Sequence, residues 1–268
     1  MAVHIRNESG KVLICSYPAR GYIGWVLDQT FDIEGLEIQV LASDPGPDAT
    51  TFVLVHGIGV AASYFRPLAE ELSRHGRVIA VNLPGFGPTK DPDRTVRISQ
   101  FARVTREAVT RVGAGQAVWV GHSMGTQVVV EAVAQDPTIA SRVVLLSPVV
   151  NRAERGALTL ARRFTRSAAR ESVPSAVASV KALLGGGLGS FFRAFPIMLD
   201  YPIEERICAI DVPTLLVTGE LDETAPRYWL DELAEACPGE THVDIVGHAS
   251  HQAMYTRPAV VADLIVKA

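Results

Sequence analysis

The sequence predicts an α/β protein with a mostly parallel central sheet, helices on both faces and a helical insertion. Two observations carry this. From about residue 36 onward, short apolar runs of strand length alternate with longer amphipathic runs, which implies right-handed crossovers between parallel strands covered on both faces. Residues 151 to about 205 break that alternation over a stretch too long for a simple connection, which implies helices of its own. The core is therefore expected over 1–150 and 206–268, with 151–205 set into it.

The elements follow in order. The first 45 residues lack the rhythm and read as an antiparallel hairpin at the sheet edge. Within them 36–42 is a strand, followed by the turn Asp44-Pro45-Gly46-Pro47. Residues 51–55 form a fully apolar strand. Over 63–74, Phe65, Leu68, Ala69 and Leu72 share one helical face. A strand at 77–81 precedes a helix capped by Ser99 and running to about Val112. Then come a strand at 117–120, a helix at 124–134, and strands at 142–146, 214–218 and 243–246. The runs 226–236 and 258–267 are helices that each carry proline at or near the first turn, where the missing N–H costs nothing.

The 268 residues suffice for one large domain with a sizeable core. Hydrophobic residues make up 48 % and charged residues 20 %, which excludes disorder. The net charge of -4 argues against a nucleic-acid partner. Cys15, Cys208 and Cys237 are odd in number and far apart, so they predict neither a disulfide framework nor a metal site. No apolar leader stretch and no run of 18 apolar residues occurs, so no membrane span is expected and the cytoplasm is the default location.

Gly121-His122-Ser123-Met124-Gly125 is a G-x-S-x-G between an apolar strand and a helix. A nucleophile gains from that place. The sharp turn projects the serine Oγ, the glycines leave room where a Cβ would clash, and the helix N-terminus favours negative charge. The alternative is a glycine-rich turn whose serine merely caps the helix. An acyl-transfer site also needs two N–H groups aimed at the oxyanion. The residue after the nucleophile, Met124, supplies one. The loop His56-Gly57-Ile58-Gly59 supplies the other, with Ile58 ahead of Gly59. His56 stands at a strand end, where an imidazole pins loop backbone more readily than it serves as base. For the acid, Gly219-Glu220-Leu221-Asp222-Glu223 follows a strand and offers three carboxylates. For the base, Gly247-His248-Ala249-Ser250-His251 follows the next strand and offers two imidazoles.

These residues resemble the α/β-hydrolase superfamily, in the branch of small bacterial lipase-like esterases and C–C hydrolases, over nearly the whole chain from about residue 36. His56-Gly57 resembles the family's oxyanion loop. Asn82-Leu83-Pro84-Gly85-Phe86-Gly87-Pro88-Thr89 resembles its D-x-P-G-x-G-x-S loop, with asparagine and threonine keeping the hydrogen-bonding capacity of the usual aspartate and serine. Thr256 replaces a glutamate common near the histidine. The resemblance implies the α/β-hydrolase fold, with Ser123 as nucleophile. The G-x-x-D-x-x-x-P pattern over 219–226 selects Asp222, and a histidine seven residues before Pro258 selects His251 as base.

The 151–205 insertion lies where this family carries its cap. Its first part is basic, with Arg152, Arg155, Arg162, Arg163, Arg166, Arg170 and Lys181 against Glu154 and Glu171. Its second part holds Phe191, Phe192, Phe195, Met198 and Tyr201, and Gly185-Gly186-Gly187 reads as a hinge or helix end. The insertion is read as a lid with an apolar inner wall. Phe191, Phe192 and Phe195, with His56, Gly57 and His122, are the candidate pocket residues, and the arginines read as outer helix faces. The expected function is hydrolysis of a small, apolar, ester-like substrate through an acyl-enzyme, with no cofactor and no metal. C–C bond hydrolysis and a ligand-binding receptor on the same fold are the rivals.

Overall fold

The computed structural model describes residues 3–6, 12–15, 24–43, 50–168 and 188–268. The turn at 44–47, the glycines at 185–187, and Arg170, Glu171 and Lys181 lie outside them. Strands β1 (Val3–Arg6) and β2 (Val12–Cys15) pair antiparallel as a separate ladder. Strands β3 (Trp25–Ile33), β4 (Leu36–Ser43), β5 (Thr50–Val55), β6 (Gly76–Asn82), β7 (Ala117–His122), β8 (Ala140–Leu146), β9 (Thr214–Gly219) and β10 (Thr241–Val246) form an eight-stranded sheet. Its order is β10-β9-β8-β7-β5-β6-β4-β3. The β3–β4 and β4–β6 pairs are antiparallel and the others are parallel. The edge hairpin is thus β3 and β4, with β3 outermost.

Both faces are buried, as parallel strands require. Val53, Val55, Ile79, Val81 and Trp119 pack on one side beneath the helices α2 (Ile98–Arg111) and α3 (Met124–Gln135). Phe52, Leu54, Val78, Ala80, Val118 and Val120 pack on the other with α1 (Arg66–Leu72). The alternation is the period-two signature of strands, here apolar at both phases. Helices α4 (Ala157–Ala168), α5 (Leu188–Asp200) and α6 (Ile203–Arg206) belong to the 151–205 region and its exit. They are followed by α7 (Arg227–Ala236) on the α3 side, and by α8 (Ala253–Thr256) and α9 (Pro258–Lys267) on the α1 side. No helix among the described residues is long and apolar enough to cross a membrane.

Three local expectations change. The helix expected from Ser63 begins as a 3-10 turn over Ala62–Phe65, and α1 starts at Arg66. Pro67 has no N–H to donate back to residue 63, so an α-helical turn cannot close there. Helix α2 starts at Ile98 rather than after Ser99, because the Gln100 side chain accepts the Arg97 N–H at 3.1 Å. Pro226 stands just before α7 as its N-cap, not within its first turn.

The chain leaves β5 for β6 on one side and then crosses to β7 on the other. That reversal opens a crevice at the C-terminal ends of β5 and β7, where sites of open α/β sheets form. Helix α3 is tied to the 151–205 region and its flanks. Gln127 Nε2 donates to the Val149 carbonyl at 3.0 Å and to the Met198 carbonyl at 2.9 Å. Buried Glu131 accepts from Tyr201 Oη at 2.9 Å and from Arg206 Nε at 2.8 Å.

Candidate active site

Ser123 joins β7 to α3 with φ +54°, the left-handed region that a serine rarely enters. Close packing of glycines holds it there. A Cβ on Gly121 would strike the Gly125 carbonyl, and a Cβ on Gly125 would strike the Val55 carbonyl. A Cβ on Gly57 would lie 2.9 Å from the Ser123 Cβ. Strain of about 1–3 kcal/mol at one residue persists only where the surroundings over-determine the backbone. The Oγ makes no capping hydrogen bond to α3, so the mere helix-capping serine does not describe this residue. Met124 opens α3, and the first N–H groups of a helix have no partner within it.

His251 and Asp222 meet after β10 and β9. Nδ1 of His251 lies 2.9 Å from Asp222 Oδ2, with both side chains buried. The loops are stapled together, Glu220 N to the Val246 carbonyl at 3.0 Å and Leu221 N to the Ala249 carbonyl at 2.8 Å. A Cβ on Gly219 would strike the Ser250 and Ala249 carbonyls. The second carboxylate oxygen, Oδ1, accepts from Thr224 N at 2.8 Å and from Thr224 Oγ at 2.6 Å. Thr224 Oγ also lies 2.8 Å from His251 Nδ1. A hydroxyl has one hydrogen. Given to Asp222, it leaves Oγ an acceptor toward the ring, which puts the proton on Nδ1 and the lone pair on Nε2. Burial alone would raise the Asp222 carboxyl, but the charge and hydrogen bond of His251, with the hydrogen bonds of Thr224, hold it well below the usual carboxylate range.

The competing residues are engaged elsewhere. The His248 side chain is 87 % exposed, and its backbone N–H donates to Glu220 at 2.8 Å. Glu223 pairs with Arg166. His56 accepts the Leu83 N–H at Nε2 and donates from Nδ1 to the Gly57 carbonyl at 2.7 Å, so it pins the loops after β5 and β6. Burial pushes it down to about 4, against that hydrogen bond. His122 donates from Nε2 to the His251 carbonyl at 3.0 Å. Burial, followed by the charge of His251, pushes it down to about 3. In the loop after β6, Asn82 accepts the Ala62 N–H and donates to Gln39, and Thr89 Oγ lies 2.8 Å from both the Leu83 and the Phe86 carbonyl, which share its one hydrogen. Both departures from the motif thus keep their hydrogen bonds.

Ser123, His251 and Thr224 open on one cavity of about 560 Å³. Ile58 and Val149 form its floor residues, α4 gives Leu158, Leu160, Ala161 and Thr165, and α5 gives Phe191, Phe192, Phe195 and Met198. Phe191 stands edge-on to Phe192 and stacks on Phe195. His56, Gly57 and His122, expected beside these rings, are not among the described lining residues: both histidines are buried, His56 uses both ring nitrogens on loop backbone, and His122 uses its Nε2. Two contributors escaped the sequence motifs. Thr224 could have been found as the third member of an Asp-x-Thr turn. Ser167, described below, gives no local signal.

The alpha/beta hydrolase family model matches residues 52–264. The chain is 28 % identical over 100 residues to the (E)-2-((N-methylformamido)methylene)succinate hydrolase of Acinetobacter baylyi, covering 37 % of this chain and 38 % of that protein. It is 24 % identical over 226 residues to the pimeloyl-[acyl-carrier protein] methyl ester esterase of Pseudoalteromonas atlantica, covering 75 % and 86 %. Among solved structures, a thermophilic esterase from Thermogutta terrifontis shares the fold with a TM-score of 0.77 at 18 % identity, over 90 % of this chain and 97 % of that one.

Proposed function

The chain belongs to the alpha/beta hydrolase family, and from that premise we propose a serine hydrolase that cleaves a small apolar carboxylic ester through an acyl-enzyme. One observation carries the reading: Ser123 and His251, the latter backed by buried Asp222, open on the same cavity, whose described wall is otherwise almost entirely apolar. In this reading Ser123 Oγ attacks the ester carbonyl as His251 Nε2 takes its proton. Asp222 fixes the Nδ1–H tautomer and stabilises the imidazolium. The N–H groups of Met124 and Ile58 hold the tetrahedral oxyanion. His251 returns its proton to the leaving alkoxide, then activates the water that releases the acid. The residues of 151–205 act as a lid, with the aromatic face of α5 binding the acyl chain.

The test is active-site titration with a fluorophosphonate, joined to turnover of uncharged p-nitrophenyl esters of increasing acyl length. Stoichiometric labelling of Ser123 with an optimum among apolar acyl chains is expected. Labelling elsewhere, or binding of esters without turnover, would overturn the reading, and the second outcome would favour a receptor. The wall makes a further claim. Replacing Phe191 and Phe192 together with alanine is expected to raise KM for apolar esters more than it lowers kcat, since it removes contacts made in ground and transition states alike. An unchanged KM across acyl lengths would remove these rings from the binding wall.

A further inference from the structure

Helix α4 reaches the acid–base pair as well as the cavity. Ser167, near its C-terminal end, is fully buried. Its Oγ accepts the Glu223 N–H at 3.0 Å and stands 3.3 Å from Asp222 Oδ1, to which it donates. Its carbonyl accepts from Ser250 Oγ at 2.9 Å, one residue before His251. Two arginines of the same helix hold the same acid loop: Arg163 donates to the Glu223 carbonyl at 2.8 Å, and Arg166 pairs with the Glu223 carboxylate at 3.4 Å. One helix therefore touches the segments that carry both Asp222 and His251. Leu158, Ala161 and Thr165, on the same helix, face the cavity.

We propose that Ser167 is a positioning residue through which α4 sets the orientation of Asp222 and His251, so that seating of the lid on its substrate and alignment of the acid–base pair are one event. The inference rests on the proposed hydrolase reading. The carboxylate holds His251 by Oδ2, and donors on Oδ1 fix its rotation. Thr224 supplies two of these from the acid loop itself, whereas Ser167 supplies a third from a separate element. An α4 lifted from the core takes that donor and the Ser250 contact with it. A substrate long enough to pack on Leu158 and Ala161 favours the seated helix, so acyl length enters kcat as well as KM.

The experiment compares Ser167→Ala and Ser250→Ala with the unaltered protein, using p-nitrophenyl esters of short and long acyl chain, after fluorophosphonate titration of folded sites. Ser167→Ala is expected to lower kcat about threefold to tenfold with little change in KM, and to narrow the kcat advantage of long chains. The acid limb of kcat/KM is expected to move to higher pH, because a carboxylate that loses a donor stabilises the imidazolium more strongly. Ser250→Ala is expected to shift kcat in the same direction by less, and it serves as the test where Ser167→Ala does not fold. Titratable, active protein in which both variants keep the original kcat and pH profile would overturn this inference alone. Failure of Ser123 to label would overturn the hydrolase reading beneath it.

Discussion

His251→Ala is expected to bring kcat to within about tenfold of Ser123→Ala, several orders of magnitude below the unaltered protein, because members of one proton-transfer unit fail together. His248→Ala is expected to keep a substantial fraction of activity. Both histidines follow β10 and stand three residues apart, yet their surroundings differ sharply. His251 is buried against Asp222 at 2.9 Å with a second contact from Thr224, and its carbonyl accepts from His122 and from Ser147. His248 points to solvent and meets Glu220 only at 3.8 Å from its ring. Losing it removes at most a surface contact worth up to about 1 kcal/mol, or roughly fivefold. Kinetics above pH 7 on titrated protein decide the matter, and the reverse ranking would make His248 the base.

Stability is expected to fall steeply as the pH drops from about 6.5 towards 4, through two histidines that play no part in that reaction. His56 and His122 are buried and neutral, with folded values of about 4 and about 3 against an ordinary 6.5. Below pH 6.5 the unfolded chain binds protons that the folded chain refuses. The unfolded state is therefore favoured by acid, and the stability is complete only above 6.5. At pH 5 the deficit is about 2 kcal/mol for each histidine, which is severe for a domain holding about 5–15 kcal/mol in all. Asp222, held below the usual carboxylate range, adds its own loss at lower pH still, since protonating it breaks its charge with His251. Urea midpoints measured at pH 7.5, 6.5 and 5 read this directly. A midpoint unchanged between pH 7.5 and 5 would mean that neither imidazole is buried neutral.

The readable part of this protein is what spacing along the chain encodes. Parallel strands buried on both faces appear as apolar runs, and β5, β7, β8 and β9 extend no more than two residues beyond their expected ends. Gly125 is required because backbone from β5 passes against the turn, and Gly121 because the turn folds back on it at Gly125, and such requirements leave a local signature. Asp222 and His251 are marked by their spacing to Pro226 and Pro258, which the resemblance to the family makes readable. Ser167 carries none. It meets Asp222 from 55 positions away, and a serine late in an amphipathic helix looks like any surface serine until the helix is docked. His56 and His122 carry a local signal that points to the site although the described cavity lining does not include them, for the complementary reason. Their neighbours in sequence border the site, but His56 Nε2 is taken by the Leu83 N–H from the loop after β6, and His122 Nε2 by the His251 carbonyl from the loop after β10.

The cavity wall also bears on how this molecule changes over generations. Leu158 and Phe192 line the cavity while remaining 85 % and 69 % exposed. Burial that slight contributes about 0.5 kcal/mol to folding at Leu158 and about 1.5 kcal/mol at Phe192, so mutations there cost less in survival of the fold than mutations of fully buried residues. Gly121, Gly125 and Gly219 have no such freedom, since any side chain collides with backbone. On the proposed hydrolase reading, inheritance is thereby divided: the catalytic turns are frozen by collisions, while the choice of acyl group can drift, one tolerated substitution at a time, on α4 and α5.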